Sequence, residues 1–217
     1  MKYLIKPATL IIWILLITMG CAGNKEMIFN GKNLDNWEIY SEDSGVAPDS
    51  LFWVEDGMIQ TTGKPKGYIR TKGIYGNFKL HVEWRWAEEP TNSGVLVRVQ
   101  GPDMIWPHAV ECQLKHGSAG DLVLMRTGAA VTVEGKDYQV TSEEDPYIII
   151  AKQNKDSEYA PGEWNSYDIT LQDGTIEVLV NGVLQNSGSG LTLTEGNILL
   201  QSEGSPIQFR NIYLERP

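Results

Sequence analysis

Cysteine is almost missing from this chain: Cys21 and Cys112 are the only two among 217 residues. A disulfide framework of the kind that staples small secreted domains is excluded, so the fold must stand on a buried apolar core. Histidine is scarce as well, and His81, His108 and His116 fit no standard zinc spacing. The 18 Lys and Arg are outnumbered by 28 Asp and Glu, for a formal charge of −10. Such a surface repels phosphate backbones and offers no basic patch, which excludes nucleic acid as a partner. No phosphate loop and no dinucleotide fingerprint occurs, so no organic cofactor is expected. Beyond the first 20 residues there is no stretch of ten or more with helical periodicity. There is also no further apolar run approaching the roughly 20 residues that a membrane helix needs.

What the chain does have begins at its start. Lys2 and Lys6 precede the apolar segment Thr9 to Gly20, which ends at Cys21. A basic start, a short apolar stretch and small residues at a cleavage point make a secretory signal. The ending Thr18-Met19-Gly20-Cys21 resembles a bacterial lipoprotein box, with Thr18 where such boxes usually carry Leu. An ordinary cleaved signal or a membrane helix is the alternative. The expected organisation is a signal peptide over 1–20, a tether over 21–26 and one domain over 27–217. The reading places the protein in the cell envelope, lipid-anchored through Cys21 to a bacterial membrane, the outer one by expectation. Removing a segment that holds two lysines and no acid takes the formal charge from −10 to −12.

The remainder reads as strand, turn, strand. Leu51 to Ile59 is a hairpin turning at Asp56-Gly57, and Trp164 to Val180 another turning at Asp173-Gly174, followed by Asn181-Gly182. Phe78 to Trp86 alternates apolar and polar residues, and Val110 to Leu114 alternates again. Ser93–Gln100, 197–201 and 207–214 are further strands. Residues 127–162 are expected as a long loop with one or two edge strands. Many short strands and 22 glycines imply an all-β antiparallel sandwich or barrel.

On the strand 111–115, side chains two apart share a face. Glu111, Gln113 and Lys115 point one way; Cys112 and Leu114 point into the core, where Cys112 serves as a small hydrophobe. This strand offers one carboxylate, an amide and an ammonium. His108 and His116 bracket it, and His81 shares a face with Glu83 and Arg85. Asn92-Ser93-Gly94 has the chemistry of a turn and opens the strand carrying Arg98. A metal is not supported by the spacing, although a divalent ion held by Glu111 and a histidine from separate strands stays open.

Nine segments, in order, carry a family resemblance: Phe29 to Trp37, Trp53 to Gly57, Tyr75 to Leu80, Asn92 to Val95, Glu111 to Leu114, Gly162 to Asn165, Val180 to Gly182, Leu200 to Gly204 and Phe209 to Ile212. Over about residues 27–215 the chain resembles the 3-keto-disaccharide hydrolase domain family. The resemblance implies a concanavalin A-like jelly roll of the lectin and glucanase type. It also implies cleavage of glycosides whose sugar is oxidised at carbon 3, and a secreted lipoprotein of a carbohydrate-consuming bacterium. A separate sugar 3-oxidoreductase would have to supply the keto sugar. The ketone acidifies the carbon-2 hydrogen, so one tuned base plus one group that stabilises an enolate suffices. The candidates are Glu111 as base, His116 as the alternative, and Lys115 or Arg98 as stabiliser. Gln113, His108, Glu83, Trp106, Gln201 and Glu203 are candidates for holding carbohydrate. A non-catalytic carbohydrate-binding lipoprotein is the rival reading, with a structural envelope protein behind it. If Cys21 is lipidated, Cys21→Ser will release the protein from membranes or block its processing, as fractionation will show. Wild-type protein that is already soluble after secretion would refute the anchor.

Overall fold

The computed structural model of the protein describes residues 25–217; the signal segment and residues 21–24 of the tether, Cys21 among them, lie outside them. In chain order the first half holds β1 (Glu26–Met27), β2 (Trp37–Ser41), α1 (Pro48–Leu51), β3 (Phe52–Glu55), β4 (Met58–Thr61), β5 (Gly67–Thr71), β6 (Phe78–Trp86), β7 (Gly94–Gln100) and β8 (His108–Gln113). The second half holds β9 (Leu122–Met125), β10 (Ala130–Val133), β11 (Lys136–Gln139), β12 (Tyr147–Ile150), β13 (Asn165–Gln172), β14 (Thr175–Val180), β15 (Val183–Gly188), β16 (Asn197–Ser202) and β17 (Ile207–Glu215). No helix among the described residues is long and apolar enough to cross a membrane.

The strands form two antiparallel sheets and a small hairpin. One sheet runs β15-β14-β13-β6-β17-β4-β3, with β1 paired to β17; the other runs β12-β9-β8-β7-β16-β5-β2. The alternation read from the sequence decides how they meet. From β6 the residues Phe78, Leu80, Val82, Trp84 and Trp86 face inward, and β13 adds Tyr167, Ile169 and Leu171. Opposite them stand Val95, Val97, Val110, Cys112, Leu124, Ile198 and Leu200 of the seven-stranded sheet. The all-β sandwich is thus as expected. Its turns follow local chemistry: Asp56-Gly57, Asp173-Gly174 and Asn181-Gly182 each put two successive residues at φ between 46° and 77°. Two left-handed residues in a row make the tight hairpin turn whose twist matches that of the strands.

Three details differ from the sequence reading. Glu26, assigned to the tether, already pairs with Leu214 in β1. Residues 127–162 are more ordered than a loop with edge strands, because β10 and β11 form their own hairpin while β12 adds to β9. The third concerns Arg98. Strict alternation from Gly94 puts it on the outward face beside Glu111. Instead the pairing of β7 with β8 slips between Val97 and Gln100, and Arg98 takes φ 57°. A bulge inserts one residue and reverses the facing of the residues beyond it. Val99 therefore joins the outward face, and the Arg98 guanidinium lies 6.0 Å from the ring centre of core residue Phe78, with the residue 1% exposed.

Gly196 makes room for this bulge. A Cβ there would stand 2.4 Å from the Arg98 carbonyl carbon and 2.5 Å from the Val99 oxygen, both backbone atoms that cannot swing away. Gly196→Ala is expected to cost about 1–3 kcal/mol, the usual range for overpacking. In urea unfolding it will appear as a lower midpoint with an unchanged slope.

Candidate active site

The outward face of the seven-stranded sheet carries a second, smaller apolar cluster around Tyr68, Leu96, Val123, Met125 and Leu199. Beside it, at the end of β8, a pocket of about 210 Å³ opens to solvent. Glu111 and Gln113 of β8 line it with Asn92 and Glu203 on one side; Val123, Met125, Tyr147 and Ile149 line the other, with Trp106 and Arg126 at its mouth.

Glu111 is held from several directions. Its neighbours Val110 and Cys112 are locked in the core, so its own side chain must face out. The end of β8 is pinned across the sandwich by Tyr167, which donates its hydroxyl to the Gln113 carbonyl at 2.5 Å and accepts the Gly120 N–H at 2.7 Å. Ser93 Oγ donates to the Gln201 carbonyl at 2.9 Å and ties β7 to β16. Between these strands sits Gly94, which pairs with Gln113. A Cβ at Gly94 would stand 2.3 Å from Glu111 Oε1 and 2.5 Å from Gln201 Oε1. The missing side chain is therefore the space in which Glu111 and Gln201 meet.

That space is dry. Glu111 is 4% exposed. Burial, reinforced by the charge of Glu203, pushes its pKa from 4.5 up to about 8. Removal from water penalises the ionised form, and no hydrogen bond is present to offset it. Gln201 Oε1 and Asn92 Oδ1 are buried acceptors with no donor among the described residues. Such groups are costly until a ligand or water supplies a proton to share. Glu203 is engaged by Lys66 at 3.1 Å, and the Lys66 ammonium lies 4.9 Å from the Trp106 ring centre. Gln113 Oε1 accepts the Lys115 N–H at 2.8 Å, which leaves its amide N–H groups free to donate.

The structure thus brings together Glu111, Gln113, Trp106, Gln201 and Glu203. It does not bring the other candidates to them. Arg98 faces the interior because of the bulge in β7, and burial lowers its pKa against the raising influence of Glu195. Lys115 is exposed and reaches the pocket only through its backbone contact to Gln113. His116 turns aside: its Nδ1 lies 3.2 Å from Glu158, whose other oxygen accepts the N–H groups of Gly117 and Ala119. His108 has the inward facing of Val110 and does not line the pocket; burial lowers its pKa, with Glu143 the charge opposing this. Glu83 is on β6, in the other sheet, where Arg210 donates to it at 2.6 Å and Asn211 at 2.7 Å. Strand parity put Lys115 and Arg98 on the Glu111 face and nearness in sequence suggested His108 and His116, but the chain leaves the strand after Gln113 and the sheets face apart. No histidine stands beside Glu111 to share an ion with it, and among the described residues no three His, Cys, Asp or Glu side chains are placed to hold a metal.

Several pocket residues escaped the sequence reading. Gly94 and Asn92 looked like a turn. Lys66, Arg126, Tyr147 and Ile149 come from distant segments and carry no local signal. Arg126 donates from Nε to the Trp106 carbonyl at 2.8 Å and pairs with Glu143 at 3.2 Å, fixing the mouth of the pocket.

Comparison with known proteins agrees with this architecture. Residues 24–215 match the family described as the 3-keto-alpha-glucoside-1,2-lyase-like domain. Among solved structures, two Parabacteroides distasonis proteins assigned by inference as glycosyl hydrolases are similar. One is 24% identical with a TM-score of 0.63, covering 90% of this chain and 94% of its own. The other is 23% identical with a TM-score of 0.64, covering 89% and 100%. A Bacillus licheniformis beta-glucanase superposes with a TM-score of 0.56 at 14% identity, covering 90% and 98%. These likenesses establish a concanavalin-like sandwich. No curated protein matches the chain in sequence.

The buried carboxyl has a consequence for stability. A group whose pKa rises from 4.5 to about 8 on folding keeps a proton in the native state that the unfolded chain releases. Stability from this group is full below pH 4.5 and is lost as pH rises toward 8. Glu111→Gln removes the dependence. Its melting temperature relative to wild type is expected to climb by several degrees between pH 5 and pH 9 in thermal scans. A difference that does not change with pH would show that the carboxyl is not held neutral.

Proposed function

The chain belongs to the 3-keto-alpha-glucoside-1,2-lyase-like domain family, and from that premise we propose that it is a carbohydrate-active enzyme that cleaves 3-keto-glycosides, with Glu111 as base. The observation that carries this reading is the buried carboxyl of Glu111, without a hydrogen-bond partner among the described residues, lining the pocket with its pKa near 8. A base is most effective when its pKa lies near the working pH, and a carboxylate of this basicity is better matched to a carbon acid than an ordinary one. Glu203 is committed to Lys66, so the double displacement that uses a free carboxylate pair is not the chemistry favoured here.

In the proposed reaction, ionised Glu111 takes the proton from carbon 2 of the keto sugar. The electron pair of that bond moves onto the ketone oxygen as an enolate, to which Gln113 donates from its amide N–H. The enolate then collapses, the bond from carbon 1 to the leaving oxygen breaks, and that oxygen takes up the proton that Glu111 removed, which returns Glu111 to its ionised form. The products are an alcohol and a ketone unsaturated between carbons 1 and 2. Water adding at carbon 1, with a proton at carbon 2, gives net hydrolysis. The unsatisfied acceptors Gln201 Oε1 and Asn92 Oδ1 take hydrogen bonds from sugar hydroxyls. The keto sugar is made by a separate oxidoreductase acting on the carbon-3 hydroxyl. Lipid anchoring at Cys21 would keep the enzyme at the envelope.

The test is turnover. Purified protein is expected to cleave a 3-keto-glucoside and leave the unoxidised glucoside nearly untouched. Glu111→Gln should lower kcat by roughly 10²–10⁴, the usual worth of a positioned base. Because the base must be ionised, kcat/KM should rise with pH and level off near 8. Glu203→Gln removes a negative neighbour, so that limb should move to lower pH. Near-normal turnover by Glu111→Gln would place the base elsewhere. Binding without turnover by wild type would favour a carbohydrate-binding module.

A further inference from the structure

The pocket is chemically divided, and the division follows the order of the strands. Cross-strand register places Leu96 of β7, Glu111 of β8, Val123 of β9 and Ile149 of β12 in one row. The neighbouring row runs Ala109, Met125, Tyr147. Strands are spaced about 4.8 Å apart, so Val123 begins one strand from the base and Ile149 lies roughly 10 Å away. On the β7 and β16 side of Glu111 the polar groups Asn92, Gln201 and Glu203 gather beside the buried Leu96 and Leu199. On the β9 and β12 side stand Val123, Met125, Tyr147 and Ile149. Val123 and Met125 are buried, whereas Tyr147 is 48% and Ile149 57% exposed. Trp106, 41% exposed, stands at the same mouth. These are three of the large exposed apolar side chains of the described residues, gathered round one cavity.

The reacting carbons impose an order on this layout. The base takes the proton from carbon 2, and the leaving oxygen is on carbon 1, the adjacent atom. The leaving group therefore starts within a few ångströms of Glu111 and must extend over one side or the other. The hydroxyl-bearing ring is best served on the β7 and β16 side, where the unsatisfied acceptors Asn92 Oδ1 and Gln201 Oε1 stand. The leaving group is then directed over β9 toward the edge strand β12. A second sugar there would set hydroxyls against the buried Val123 and Met125, and each one left without a partner would lose about 1–3 kcal/mol. Arg126, the charged group at that end of the pocket, spends its Nε on the Trp106 carbonyl and its Nη1 on Glu143, which fixes the direction in which its remaining N–H groups point.

Resting on the function proposed above, we infer that the natural substrates carry an aromatic or otherwise apolar leaving group rather than a second sugar. That group lies on the shelf of Val123, Met125, Tyr147 and Ile149, under Trp106.

The test compares a benzyl 3-keto-glucoside with a 3-keto-disaccharide of two glucose units. Benzyl alcohol is no better a leaving group than a sugar hydroxyl, so intrinsic reactivity does not favour the first. The expected result is a kcat/KM at least roughly tenfold higher for the benzyl compound, the scale of discrimination an apolar pocket provides. Ile149→Ser and Tyr147→Ser change exposed side chains and leave the core intact. Each should shrink that ratio several-fold, and the ratio is insensitive to partial loss of folded protein. A disaccharide cleaved as well as or better than the benzyl compound, or a ratio untouched by both variants, would overturn the apolar shelf and leave the enzyme reading standing. Cleavage of neither substrate would instead overturn the function on which the inference rests.

Discussion

The packing of β6 and β13 against β7, β8 and β16 is what the rest of the molecule depends on. Side chains such as Trp84, Tyr167, Val97, Val110, Cys112 and Leu200 are fully buried between the sheets. A strand has only two faces, so whatever this core takes inward it also sends outward at the next residue. Locking Val110 and Cys112 inside leaves Glu111 no choice but the outer face. Tyr167 extends the same constraint by reaching through the core to hold the end of β8. The site is positioned by the core rather than by the loops around it.

Holding Glu111 in place is costly, and the fold compensates for it elsewhere. A buried carboxyl without a hydrogen bond favours its protonated form and makes the protein less stable at high pH. The glycine at 94 lets Glu111 and Gln201 close over the strand between them. Local features that weaken the sheet, an empty side-chain position and unsatisfied acceptors, are those that make room for a ligand with many hydroxyls. Residues selected only for stability would fill Gly94 and pair Glu111.

Two of the charged networks at the surface have different standing. Lys66 with Glu203 sits at the pocket and sets the field around Glu111. The group around Glu83, Arg210, Asn211 and His81 lies on the outer face of the other sheet. It shares residue types with an active site and none of its geometry: every carboxylate there has a cationic or amide partner. Similar side-chain chemistry has a different standing in the two places because only the first has unsatisfied buried acceptors beside it.

Much of this was legible in the chain itself. Alternation over Phe78 to Trp86 and Val110 to Leu114, with Asp-Gly and Asn-Gly turns, determined an antiparallel sandwich, because side-chain facing and turn geometry are local properties. The same alternation placed Glu111 and Gln113 outward, and Gln201 and Glu203 on one face of their strand. Tertiary structure alone decided which faces meet. The slip of register at Arg98 turned that residue inward, and neither Arg98 nor its neighbours announce a bulge, since it depends on how β7 pairs with β8 and β16. Glu83 fell on the opposite sheet because strand pairing is not encoded within a strand. Gly94, Lys66, Tyr147 and Ile149 joined the pocket from segments far apart, and the high pKa of Glu111 exists only once those segments exclude water from it.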